Sequence, residues 1–81
     1  MKTVLIIDDE RNIRDSLGAV LRDEGFEVVS SESAEAAMID ISKGGIDVAL
    51  LDVWLPGMDG IAALREIKKT APSLPVIMIT G

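Results

Sequence analysis

Eighty-one residues hold one small domain, and with one Phe and one Trp against 48% hydrophobic residues its core has to be aliphatic. The absence of Cys and His excludes disulfides, thiolate or imidazole metal sites, cysteine nucleophiles and histidine acid–base catalysis. A net charge of −6 excludes a nucleic-acid footprint on this segment and favours cations or a basic partner face.

Four apolar runs alternate with three amphipathic stretches. Val4–Ile7 is continuous and mostly branched, the mark of a strand buried on both faces, and it ends at Asp8-Asp9-Glu10. Ile13, Leu17, Val20 and Leu21 form a helical stripe, with Arg11, Arg14, Asp15, Arg22 and Asp23 mostly off it, and Gly25 stops it. Phe26–Ser30 predicts a shorter, more exposed strand. Ser33 caps a second helix with a narrow stripe of Ala34, Ala37, Met38 and Ile41, ended by Lys43-Gly44-Gly45. Ile46–Leu51 is a third strand, closed by Asp52. Pro56-Gly57 marks a turn. Asp59 caps a third helix with the stripe Ile61, Leu64 and Ile67. Pro72 and Pro75 bracket the loop to a fourth strand, Val76–Thr80.

The order βαβαβαβ predicts an α/β fold with an open parallel sheet and right-handed crossovers. No apolar run reaches the roughly 20 residues of a membrane span, and the start is too short and too soon acidic for a signal peptide. The expectation is a cytoplasmic chain without membrane contact.

In such sheets ligands bind beyond the carboxyl ends of the strands. Asp8 and Asp9 end the first strand, and Asp52 ends the third. If those strands are neighbours, three carboxylates converge. Hard oxygen donors without imidazole or thiolate select Mg2+, Ca2+ or Mn2+, and a small open cluster suits Mg2+ best. An aspartate beside such a cation can attack phosphorus.

Asp8-Asp9-Glu10, Asp52, Leu55-Pro56-Gly57-Met58-Asp59-Gly60 and Thr80, in that order and spacing, resemble the receiver domain of bacterial two-component response regulators. The stretch Leu74–Gly81 is similar to receivers of NtrC-like transcriptional activators. The resemblance spans residues 1–81 as the N-terminal two thirds of a receiver, incomplete at its C-terminal side. It implies a flavodoxin-like sheet, here of four strands in the order 2-1-3-4 with three helices. It makes Asp52 the phosphoacceptor and Thr80 the switch hydroxyl. Mg2+ would be held by Asp9 directly, by Asp8 through water, by Asp52 and by the backbone carbonyl of Trp54. The family's phosphate-pairing lysine, fourth helix, fifth strand and fifth helix have no counterpart before Gly81. The implied partners are a sensor histidine kinase, which supplies the histidine, and an output domain, a DNA-binding activator in the NtrC-like case. Such a domain is a phosphoacceptor and not an enzyme acting on other substrates.

Other readings compete. The acidic run could simply cap the first helix, Asp9 doing both jobs, and Asp52 could be a turn residue. A phosphotransferase of the haloacid-dehalogenase type would want a second Asp two residues after the nucleophile, where this chain has Trp54. A receiver-like module for binding or dimerisation that is never phosphorylated would dispense with an acidic residue of the site. Met38, Met58 and Met78 read as gap-fillers, and Trp54 as a partly exposed loop residue. With no fifth strand, the uncharged fourth strand would form an edge, so self-association is expected.

Overall fold

The computed structural model describes residues 1–55 and 59–79. The elements are β1 (Thr3–Ile7), α1 (Arg11–Asp23), β2 (Glu27–Ser31), α2 (Ala34–Ser42), β3 (Val48–Asp52), α3 (Gly60–Thr70) and β4 (Val76–Ile79). All strand pairs are parallel, and the order is β2-β1-β3-β4, as expected. β2 starts one residue later than its apolar run and β3 two residues later, and each closes one residue further on. The predicted turn at Pro56-Gly57, Met58 and the expected strand end at Thr80 lie outside the described residues.

Side-chain alternation divides the sheet between two layers. Leu5, Ile7, Ala49 and Leu51 point to one face and pack with Ala34, Ala37 and Ile41 of α2 and Ala63 and Ile67 of α3. Met38 and Met78 pack against this cluster, as gap-fillers would. Val4 and Ile6 turn to the other face. There α1 lies across β1 and β2, and Gly18 comes close to Val28, the register partner of Val4.

The helical stripes are rotated from those expected. Along α1 the inward line is Arg14, Leu17, Gly18 and Leu21, while Ile13 is 42% and Val20 59% exposed. Gly18 is the buried residue at the centre of that line. Likewise α3 turns Gly60, Ala63, Leu64 and Ile67 inward and leaves Ile61 52% exposed. The helix starts follow cap chemistry, which satisfies the first unpaired amides. Ser33 Oγ accepts Ala36 N–H at 3.1 Å, and Asp59 Oδ1 accepts Ala62 N–H at 2.8 Å. At α1 the N-cap position is Glu10, with no side-chain capping bond, so the acidic run does not serve as its cap. The α1 stop is as expected: Gly25 has φ +96°, and the N–H groups of Gly25 and Phe26 reach back to Arg22 and Leu21.

Candidate functional site

β1 and β3 are neighbours, and Ile7 pairs with Leu51, so Asp8 and Asp52 leave the sheet side by side. One carboxylate oxygen each from Asp8, Asp9 and Asp52 fall within 4.8 Å of one another. Asp8 and Asp52 are buried, at 5% and 8% exposure, whereas Asp9 is exposed.

The two buried carboxylates are held alike. Asp8 Oδ1 accepts Glu10 N–H at 2.9 Å, and Asp52 Oδ1 accepts Trp54 N–H at 3.0 Å. Each bond spans two residues, folds the loop after its strand back on the carboxylate and fixes one oxygen. Among the described residues no side chain or amide occupies the second oxygen of either, and no fully buried side-chain polar atom lacks a partner. Those second oxygens therefore keep access to solvent and to a ligand.

Charge is the cost of this arrangement. Two carboxylates ~4 Å apart repel by about 4 kcal/mol at an effective dielectric near 20. Burial raises the Asp8 pKa above the usual carboxylate value, and the charges of Asp52 and Asp9 push it further up. The Glu10 N–H bond and Arg14 act against the rise. Arg14 Nη1 donates to the Asp8 backbone carbonyl at 2.8 Å, so this cation ties down the loop and leaves the carboxylate oxygens open. Three convergent hard donors, two buried and one exposed, are the donor set that a partly hydrated Mg2+ takes.

Trp54 sits on the loop leaving Asp52, and its side chain is 72% exposed, more than the partial exposure expected. Beside it a hollow of about 440 Å³ is lined by Val53, Trp54, Gly60, Ile61 and Arg65, among others. Thr80 lies outside the described residues. Its neighbour Ile79 pairs with Asp52 and accepts Val53 N–H at 3.1 Å.

Two contributors carry no clear signal in the sequence pattern. Arg14 falls off the apolar stripe expected of α1 yet lies on its inward line. Gly60 reads only as part of a motif, yet its N–H donates to Val53 O at 2.9 Å, and a Cβ on it would lie 2.6 Å from Val53 Cα. Only glycine lets α3 start against the Asp52 loop. The Asp59-Gly60 pair after a strand-end aspartate was the available signal; a capping residue followed by glycine marks a close backbone approach.

Known proteins resemble this chain in sequence and in fold. The NtrX-like response regulator of Rickettsia bellii is 41% identical over 80 residues, covering 96% of this chain and 17% of that protein. Sensory transduction protein RegX3 of Mycobacterium tuberculosis is 40% identical over 81 residues, all of this chain and 35% of that protein. The chain thus spans about a third or less of these relatives' length. Among solved structures, response regulator protein TrrA of Thermotoga maritima superposes with TM-score 0.92 in a complex with Mg(2+)-BeF, at 36% identity over 99% of this chain and 70% of that one. In complex with histidine kinase ThkA, TrrA superposes at 0.93, also at 36% identity, over 100% and 70% of the two chains. The family model described as response regulator receiver domain matches residues 4–81. The chain belongs to the response regulator receiver domain family.

Proposed function

We propose that Asp52 is the phosphoacceptor of this receiver and that Asp8, Asp9 and Asp52 hold Mg2+ beside it. The observation that carries this reading is the convergence of the three carboxylates within 4.8 Å at the carboxyl ends of β1 and β3. When bound, Mg2+ supplies positive charge that offsets the carboxylates and the oxygens of the transferring phosphoryl group. The chain's own part is positional. Trp54 N–H holds Asp52 Oδ1, which leaves the second oxygen as the nucleophile. That oxygen forms a bond to phosphorus as the P–N bond of a phosphohistidine breaks, and the electron pair leaves with the imidazole. The product is an aspartyl phosphate. A sensor histidine kinase is the proposed donor of the phosphohistidine; TrrA in complex with a histidine kinase supports that partner. The backbone carbonyl of Trp54 completes the proposed Mg2+ site.

The aspartyl phosphate carries about −2 charge in place of the carboxylate's single charge and adds strong acceptor oxygens, and Thr80 is the hydroxyl proposed to move toward it. The change is passed to an output domain. The NtrX-like relative and RegX3 match equally well, though this segment makes up 17% of one and 35% of the other. Identity therefore does not select the output, and a DNA-binding activator is the proposal from the Leu74–Gly81 stretch. The reading makes the protein a cytoplasmic phosphoacceptor rather than an enzyme acting on other substrates; no described helix is long and apolar enough to cross a membrane. Self-association through β4, where Ile77 is 54% exposed, belongs to the same proposal. Sedimentation at tens of micromolar should show more than a monomer, and Ile77→Lys should restore one.

The test of the acceptor is the mass of the protein after incubation with Mg2+ and an acyl-phosphate donor. One phosphoryl group should be gained by the wild type and none by Asp52→Ala; an adduct that persists in Asp52→Ala overturns the assignment.

A further inference from the structure

Ser31 closes β2, is only 4% exposed, and takes no part in the chemistry above. Its carbonyl accepts the Asp8 N–H at 3.1 Å. Its hydroxyl donates to Asp40 Oδ2 on α2 at 2.6 Å. A hydroxyl–carboxylate bond of this length is charge-assisted and stronger than a neutral one.

Burying a hydroxyl costs free energy that its bond must offset. An alanine would suit the surroundings without that cost, since Ala34 and Ala37 are buried nearby on α2. The serine makes sense if the end of β2 has to be fixed in place. Among the described residues β2 pairs with β1 alone, so the sheet holds its last residue from one side. Asp40 holds it from the other. What Ser31 then fixes is the amide of Asp8, while Arg14 fixes the Asp8 carbonyl at 2.8 Å. The Asp8 main chain is anchored at its N–H through β2 and α2 and at its carbonyl through α1.

We propose that Ser31 and Asp40 are positioning residues for the acidic site: α2 holds the end of β2, and the end of β2 holds Asp8 opposite Asp52. This rests on the reading of the site as a Mg2+ centre, but its first test needs no metal. Amide hydrogen exchange in the metal-free chain compares Asp8 with Leu5, an interior residue of the same strand. In Ser31→Ala and in Asp40→Ala, exchange at Asp8 should rise roughly threefold to tenfold, the effect of losing about one net hydrogen bond, with Leu5 unchanged. Asp40→Asn keeps an acceptor and should stay near the wild type.

The second measurement is Mg2+ titration followed by Trp54 fluorescence. Both alanine variants should weaken binding roughly threefold to tenfold, and the double variant should lose no more than either single one, because the pair acts as a unit. A merely structural pair would lower Tm and leave both the Asp8 exchange ratio and the Mg2+ affinity at wild-type values; that result overturns the proposal. Additive losses in the double variant also overturn it. If the wild type gives no Mg2+ response at all, the metal reading fails, and the exchange comparison still decides whether the pair holds Asp8.

Discussion

Asp8 and Asp47 lie at opposite ends of the sheet, and each accepts a backbone N–H. Asp47 Oδ2 takes Thr3 N–H at 2.8 Å, and the Asp47 N–H returns to Thr3 O at 2.9 Å. That carboxylate is exposed and outside the acidic cluster, and it ties the start of β1 to the approach of β3. Asp8 makes the same kind of bond, but it is buried with Asp52 beside it and Asp9 within reach. A strand-end carboxylate is therefore not a site in itself. What makes one is the packing of several, held by the backbone amides of Glu10 and Trp54 and by the ties of Arg14 and Ser31 to the Asp8 main chain. The amino end also has a hollow, of about 460 Å³, lined by Ile41, Ala71, Leu74 and Pro75 among others. Among the described residues it gathers no comparable cluster of donors.

Breaking that contrast should have its largest effect through Asp9. Asp9→Asn removes a charge and a donor at the exposed rim of the cluster. Mg2+ affinity, read by Trp54 fluorescence, should fall on the order of a hundredfold, or about 2.7 kcal/mol. Asp47→Asn should leave it within twofold, since the change is at the far end of the sheet and screened by solvent. Equal losses in both would dissolve the distinction between the two ends.

Gly60→Ala tests the support beneath Asp52. Its Cβ would meet backbone rather than a side chain that can swing away. A thermal or denaturant melt should show a loss of about 2 kcal/mol, with weaker Mg2+ binding as the Asp52 loop is displaced. A melt equal to that of the wild type would mean that α3 does not fix this loop.

The smallest effect is expected at Asp8, and it has a definite sign. The folded pKa lies above the ordinary value because of burial and the neighbouring carboxylates. The folded state is then favoured most below the unfolded pKa and loses that advantage as pH rises through the folded one. The metal-free chain should gain stability as pH falls from neutral into the carboxylate range. Asp8→Asn should raise the neutral-pH Tm slightly and flatten this part of the pH profile, since Asn still accepts the Glu10 N–H without the charge. A lower Tm in Asp8→Asn at neutral pH would show that repulsion is not the dominant cost.

Much of this was legible in the chain. Val4–Ile7 and the run ending in Leu51 read as buried parallel strands because both faces of a central strand are covered. Once those were neighbours, Asp8 and Asp52 had to emerge together. Ser33 and Asp59 were legible as caps because capping is local chemistry. The rest depends on approach distance, which periodicity does not encode. Ile13 and Val20 fit a stripe as well as Leu17 and Leu21 do. The packing of α1 on the sheet decides between them: it buries Gly18 and brings Arg14 to the Asp8 loop. The Ser31–Asp40 bond was equally hidden, because nothing in a nine-residue spacing shows that a serine and an aspartate on different elements will meet.

The central claim is that Asp52, rather than its acidic neighbours, receives the phosphoryl group. Borohydride reduction of the phosphorylated protein converts an aspartyl phosphate to homoserine, and tandem mass spectrometry of the resulting peptides locates it. Homoserine is expected at position 52, dependent on Mg2+ during phosphorylation and unaffected by Asp47→Asn. Homoserine at Asp8 or Asp9, or a phosphoryl adduct that yields none at position 52, would contradict it.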